Sequence, residues 1–337
     1  MKKKAYVFFL AALALVIAPS LLMASGKSET APAYPTKPME FIAPAGAGGG
    51  WDLTIRTVAK VLAETDLSPV ATPVTNKPGG GGGVALAYLQ NKKGSDREIA
   101  VYSPPLILIN LSGTTPYSYK NTTPIARLIA DYGAFVVSKN SKYKNIMEVM
   151  DALKKDQGSV VIGGTSAAGS MDHIQFLMVA RAAGVKNLNK IQYVSFQDGS
   201  GAAQALGGHI DLLSTGLGDV RGLLQSGDLR GLASTAPQRV DLDVIRDIPT
   251  CKEQGLDAIF INWRGIFGPP EMPEYAVNFW RQAVGKMVTT SAWEAACKQN
   301  GFTMSYMDGP EFGKFLEQTN EDYKAVLSEI GMLKLQS

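Results

Sequence analysis

Between residues 39 and 234 the chain repeats one unit: an apolar run, a loop of small residues, then an amphipathic stretch. "MEFIAP" (39–44) leads into glycines. Trp51, Ile55, Val58, Ala59 and Leu62 then recur at i, i+4, i+7, i+8 and i+11, one face of a helix. "ATPVTNKP" leads into a second glycine run and a helix carrying Val84, Leu86 and Leu89, and "EIAVYSPP" (98–105) is a third strand, ending at Ser103. The alternation resumes with "GAFVVSK" (133–139), a helical stripe of Ile146, Val149, Met150 and Leu153, and the strand "SVVIGG" (159–164). "MDHIQFLMVARAAG" follows as a helix closed by a glycine C-cap, then the strands "IQYVSF", "HIDLLST" and "LRGLAST" with short helices between. After "GIFGPPEMP" the pattern turns helical, at 274–289, 291–300 and 309–330. Strand–loop–helix repeated this often predicts an α/β fold with mainly parallel sheets. The units are too many for one compact sheet, so 337 residues predict two domains.

Four of the loops share one design, in which a strand ends, small residues follow and a helix begins. They are Ala45–Asp52, Gly79–Gly83, Gly163–Asp172 and Gln197–Gly201. In open α/β sheets ligands bind beyond the carboxyl ends of the strands. Helix N-termini there present unpaired N–H groups and a partial positive charge, and small residues let a ligand reach the backbone. Several such loops facing one cleft bind an anion with few charged side chains. Asp52, in the first turn of its helix, suits the helix dipole or caps N–H groups. The phosphate motifs fail: "GAGGGWD" is not G-x-G-x-x-G, and "GGGGGVA" lacks the Lys-Ser/Thr of a P-loop.

The ends and the charge balance narrow the partners. "MKKK", an apolar stretch to Met23 and the small residues Ala24–Gly26 read as a secretory signal peptide over residues 1–26. The chain holds 33 Lys+Arg and 30 Asp+Glu; the leader takes three lysines and no acid, leaving 30 against 30. A neutral mature chain argues against nucleic acid or an anionic membrane surface as partner. Cys251 and Cys297 form a disulfide or stay as two buried thiols; sequence leaves both open. His173 and His209 have no Cys or His neighbour at metal-ligand spacing, so no metal and no cofactor is expected.

"GGTSAAGSMDH" sets Ser166, Ser170, Asp172 and His173 close together without forming G-x-S-x-G. Adjacent on a helix, Asp172 and His173 point about 100° apart, badly placed for a relay. Serine hydroxyls donating to a bound carboxylate are the preferred reading, with a hydrolase using Ser166 and His173 as the rival. In "FINWRGIFGPP" Arg264 is the candidate bidentate carboxylate clamp, against packing plus a surface charge.

Taken in order, "YPTKPMEFIAPAGAGGGWD", "NKPGGGGGVALAYL", "GGTSAAGSMDH", "GGHIDLLSTG", "SGDLRGLAST", "DIPTCKEQGLD" and "NWRGIFGPP" resemble the substrate-binding proteins of tripartite tricarboxylate transporters, related to the Bug receptors. The resemblance runs from Tyr34 to about Gly331 and is nearest the tricarboxylate-receptor branch. It implies a type II periplasmic-binding-protein fold: two α/β domains, the first discontinuous over 33–134 and 250–337, the second over 135–249, with a ligand cleft between them. It implies a periplasmic, monomeric receptor that binds an organic di- or tricarboxylate, citrate-like, through backbone N–H groups and ordered waters, and delivers it to membrane permease subunits. A sensor handing its closed form to a signalling protein is a further alternative. The ligand residues so implied are Ala45, Gly46, Gly48, Gly49, Gly50, Trp51 and Asp52 in the first loop, and Asn76, Gly79 and Gly80 in the second. Ser103 stands at a strand end; Thr165, Ser166, Ala167, Ala168, Gly169 and Ser170 form the second-domain loop, with His173 in the helix after it. Relatives often carry a glycine-serine-rich loop in place of "TSAAGS" and Phe-Asp-Asn in place of Ser214-Thr215-Gly216, departures that bear on the ligand rather than the fold.

Overall fold

Strand β1 (Glu40–Ala43) hands the chain to helix α1 (Gly50–Glu64) through the first glycine loop, and β2 (Val74–Asn76) hands it to α2 (Gly83–Gln90) through the second. β3 (Glu98–Tyr102) ends at Ser103 and is followed by α3 (Pro105–Leu111), a buried apolar helix started by proline. β4 (Thr123–Ser138) is followed by α4 (Ile146–Lys155), β5 (Val161–Gly164), α5 (Met171–Ala182), β6 (Gln192–Ser195) and α6 (Gly201–Leu206). β7 (Leu212–Gly216), α7 (Arg221–Gln225), β8 (Leu229–Ser234) and β9 (Ile261–Gly268) lead to α8 (Glu274–Met287), α9 (Ser291–Asn300), β10 (Thr303–Asp308) and α10 (Gly309–Glu329). This computed structural model describes residues 33–196 and 200–334. The leader reading over 1–26 and residues 197–199 of the Gln197–Gly201 loop lie outside them.

The strands run β2-β1-β3-β9-β4-β7-β5-β6, with β8 and β10 also paired to β4. Two groups are parallel as expected, β1 with β2 and β3, and β5 with β6 and β7. The centre is not: β9 is antiparallel to both β3 and β4, and β7, β8 and β10 are antiparallel to β4. The sheet is therefore mixed, a correction to the mainly parallel expectation. β4 also extends ten residues before the predicted start at Gly133. Its first half pairs with β9 down to Tyr132↔Ile261, and from Gly133↔Gly216 onward it pairs with β7. Arg127 and Asp131 break the apolar pattern of that first half, which hid it as a strand. β10 was missed for a similar reason, because its outward residues include the half-exposed Met304 and Tyr306.

Apolar residues of α2, α3, α5 and α10 form one core cluster with the inner faces of β3, β4 and β9, centred on Trp263, Phe267 and Phe312. A second cluster gathers α1, α8 and α9 around Trp280 and Trp293. Cys251 belongs to the first and Cys297 to the second; both are buried free thiols, which decides the open question against a disulfide.

Candidate functional site

The N-termini of α1 and α5 are braced in the same way, each by a buried aspartate in its first turn. Asp52 accepts the Gly48 N–H at 2.9 Å, Arg56 Nε at 2.8 Å and Asn76 Nδ2 at 2.8 Å. Asn76 also donates to the Ala45 carbonyl at 2.9 Å and accepts Arg56 Nη2 at 2.9 Å, so the first loop is stitched to β2. The Arg56 guanidinium, against the cost of burial and helped by the other donors, lowers the Asp52 carboxyl to about 2. In the second loop Asp172 Oδ2 accepts the Thr165 N–H (2.8 Å), the Thr165 hydroxyl (3.0 Å) and the Ser166 N–H (2.9 Å). Here burial outweighs those donors and the carboxyl titrates above its ordinary value.

These braces determine which amides remain for a ligand. Thr165 and Ser166 give theirs to Asp172, Gly48 to Asp52, and Gly169 to His173 Nδ1 at 3.0 Å. Among the described residues the amides of Gly50, Trp51, Asp52, Ala167, Ala168 and Met171 have no intramolecular acceptor. Gly50, Trp51 and Met171 line a cleft of about 270 Å³ together with Ala45, Ser103, Pro105, Ser166, Ser170, Asn262 and Arg264. That is near the lower end of small-ligand sites.

Among the described residues Arg264, on β9, is the only charged side chain on that wall. Its Nη1 donates to Thr54 Oγ1 at 3.0 Å, and its guanidinium lies 5.4 Å from the Phe302 ring centre. A Cβ on Gly50 would stand 2.7 Å from Arg264 Nη2, so glycine is what lets the guanidinium close on the α1 N-terminus. Burial lowers the Arg264 pKa, opposed by Asp131 and Asp219. Asp131, on the same face of the sheet, is raised to about 6 by burial and by Asp219, with Arg264 pulling the other way.

Further contacts hold the wall from behind. Trp51 Nε1 donates to Ser103 Oγ at 2.9 Å, and Gly82 passes under the Trp51 ring, where a Cβ would lie 3.1 Å from it. Gly79, Gly80, Gly81 and Gly82 all have positive φ, from 57° to 127°. The second glycine run thus shapes the backbone and makes room for Trp51 instead of lining the cleft. Gly46, Gly48, Gly49, Asp52, Asn76, Thr165, Ala167, Ala168, Gly169 and His173 are likewise not among the cleft-lining residues. His173 stacks on Tyr193 with ring centres 4.3 Å apart, and burial lowers it to about 4. Ser166 Oγ accepts the Asp172 N–H at 2.9 Å, and among the described residues no hydrogen bond joins Ser166 to His173. Among the described residues the one bond made by the Ser166 hydroxyl is that from the Asp172 amide. Sequence reading missed Pro105, Met171 and Asn262; Asn262 was within reach, since it precedes Arg264 by two residues on one strand and so shares its face.

The description "tripartite tricarboxylate transporter family receptor" matches residues 54–332 of this chain. A TctC solute binding protein from Polaromonas is 28% identical, with a TM-score of 0.74 over 88% of this chain and 99% of its own. MatC from Rhodopseudomonas palustris with bound malate is 18% identical, with a TM-score of 0.70 over 87% of this chain and 100% of its own. A second R. palustris protein, with adipate, is 19% identical, with a TM-score of 0.74 over 90% of this chain and 100% of its own. The mixed α/β fold is that of the TctC and Bug periplasmic binding proteins. The chain belongs to the tripartite tricarboxylate transporter receptor family, whose members are solute-binding receptors.

Proposed function

We propose that the protein is an extracytoplasmic receptor that captures a small organic di- or tricarboxylate, citrate-like in size and charge, and delivers it to the membrane permease of a tripartite transporter. The observation that carries this reading is the cleft itself: free amides at the N-termini of α1 and α5 face it together with one guanidinium, Arg264. Helix N-termini and arginine are donors without acceptors, which suits carboxylate oxygens. The malate and adipate held by two structural neighbours are dicarboxylates and favour this class.

In the proposed cycle one carboxylate sits between Gly50–Trp51 and Ser170–Met171, with Arg264 at its side. We assign 33–134 with 250–337 to one lobe and 135–249 to the other; the change of β4's partners between Tyr132 and Gly133 supports that division. A ligand that touches both lobes binds the closed form better and shifts the population towards it. The closed monomer then docks on the permease. Export to the periplasm rests on the leader reading over 1–26, and among the described residues no helix is long and apolar enough to cross a membrane.

The test is thermal unfolding of the mature chain against citrate, tricarballylate, isocitrate, malate, succinate, glutarate, aspartate and aromatic acids. A ligand at about 100 times its Kd adds about 2.7 kcal/mol. A stabilising shift confined to one class names the substrate class. No shift with any of them, and no acid released on denaturation when followed by mass spectrometry, overturns the receptor reading.

A further inference from the structure

Asn262 lines the cleft on β9, on the same face as Arg264 and opposite Asp131 in the β4–β9 register. Its Oδ1 is buried without a hydrogen-bond partner, and among the described residues its Nδ2 makes no bond either. Of the other polar side chains of the wall, Ser103 is engaged with Trp51, Ser166 with the Asp172 amide and Arg264 with Thr54, while the Ser170 hydroxyl, a donor as well as an acceptor, makes no side-chain cap. A buried acceptor left unmet costs its desolvation penalty, and native structures rarely tolerate it without a reason.

The other groups facing the ligand are mainly donors, and a plain carboxylate satisfies them with oxygen alone. It has no hydrogen to give Asn262. The terminal amide torsion of asparagine is broad and nearly two-fold. A half-turn therefore carries Oδ1 to the position Nδ2 now holds. The corner around Asn262 is also rich in acceptors. Asp219 Oδ2 and Asp131 Oδ2 lie 2.9 and 3.1 Å from where a Cβ on Gly216 would stand, so two carboxylates converge there. Such a corner disfavours a second carboxylate and favours a group that donates.

We infer that Asn262 reads a hydrogen-bond donor on the ligand, so that the cleft selects carboxylates bearing a hydroxyl or ammonium group over the plain acids of the same length. This rests on the receptor reading and narrows its substrate class.

Calorimetric titration of the mature chain with matched pairs tests it: malate against succinate, citrate against tricarballylate, and aspartate against succinate for the ammonium form. The donor-bearing member of at least one pair is expected to bind about tenfold more tightly, the worth of one net hydrogen bond. Asn262→Leu is expected to bring that pair within about twofold of each other, because acceptor and donor are both gone. A residue that merely supports the fold would weaken both members by one factor and leave the ratio standing. Asn262→Ala, which adds no bulk, carries the same expectation should the leucine variant fail to fold. Equal affinities in every pair for the wild-type chain overturn the inference and leave the receptor reading intact, as does a ratio that survives in the variant. Binding of neither member of any pair overturns the inference, and the receptor reading falls with it only if the wider acid panel also gives no shift and no acid is released on denaturation.

Discussion

A methyl group on Gly50 would meet the Arg264 guanidinium, the far end of a flexible side chain, while the backbone there is ordinary helix start. Gly50→Ala is therefore expected to leave stability within about 1 kcal/mol of wild type, since alanine is the better helix former. It should displace Arg264 and weaken carboxylate binding tenfold or more; chemical denaturation and calorimetry on one preparation separate the two effects. Asp172 is different, because its carboxylate holds three donors of its own loop. Asp172→Ala strands them, and a loss of about 2–4 kcal/mol is expected in urea denaturation. The titrations add a pH signature. His173 is lowered to about 4 in the folded chain, so the unfolded chain binds the proton first. Its contribution is complete above about 6.5 and is lost as pH falls towards 4. Asp52, lowered to about 2, contributes above about 4 and loses that contribution at still lower pH. Asp131, raised to about 6, has the opposite sign: the folded chain holds its proton longer, and stability falls as pH rises through that window. Asp131→Asn is therefore expected to stabilise the ligand-free chain at pH 7–8 by about 1–2 kcal/mol and to have little effect near pH 4, read from melting temperatures across pH.

At the scale of elements, the two glycine runs solve different problems although they look alike as letters. The first ends in a helix start whose amides stay free, and Asp52 holds it open. The second is a string of left-handed residues that carries the chain under Trp51. Gly82→Ala places a Cβ 3.1 Å from Trp51 and 3.2 Å from Tyr102 at a φ of 100°. It should cost about 2 kcal/mol or more, unlike the mild Gly50→Ala. Helices α1 and α4 were legible because their apolar residues recur at helical spacing, and α5, buried on nearly all sides, because a glycine closes it. The first half of β4 and all of β10 were not, because polar residues that pair across the sheet look like surface when read alone. Arg127 shows the point: in sequence it interrupts an apolar run, but in the fold it donates to the Ser305 carbonyl and hydroxyl on β10.

For the whole molecule, β4 carries the proposed motion. It joins β9 on one side of Tyr132–Gly133 and β7 on the other, while β9 returns the chain to the first group. If a carboxylate bridges the N-termini of α1 and α5, saturating ligand should reduce the radius of gyration in small-angle scattering. An unchanged value would remove closure from the proposal while leaving capture in place. The two thiols report on integrity in the same experiment. Cys251 and Cys297 are buried in separate clusters, so both should resist alkylation in the folded chain and both should react once it is unfolded without reductant.

Sequence alone determined the α/β class, the receptor family's ordered motifs and the glycine-rich and small-residue loops proposed for an anion site. These follow from local rules, namely the period of apolar residues, the conformations open to glycine and the free amides at a helix start. Only the tertiary structure decided which amides stay free, that Asp52, Asn76 and His173 brace the loops from behind, that the central strands run antiparallel and that the cysteines stand apart. The Asp52 and His173 contacts are local and are fixed by the backbone path of each loop, whereas the strand directions, the Asn76 stitch and the separation of the cysteines depend on partners far away in the chain. Asn262 belongs with them, since its unmet amide is visible only once β9 has been laid against Asp131 and the cleft has formed around it.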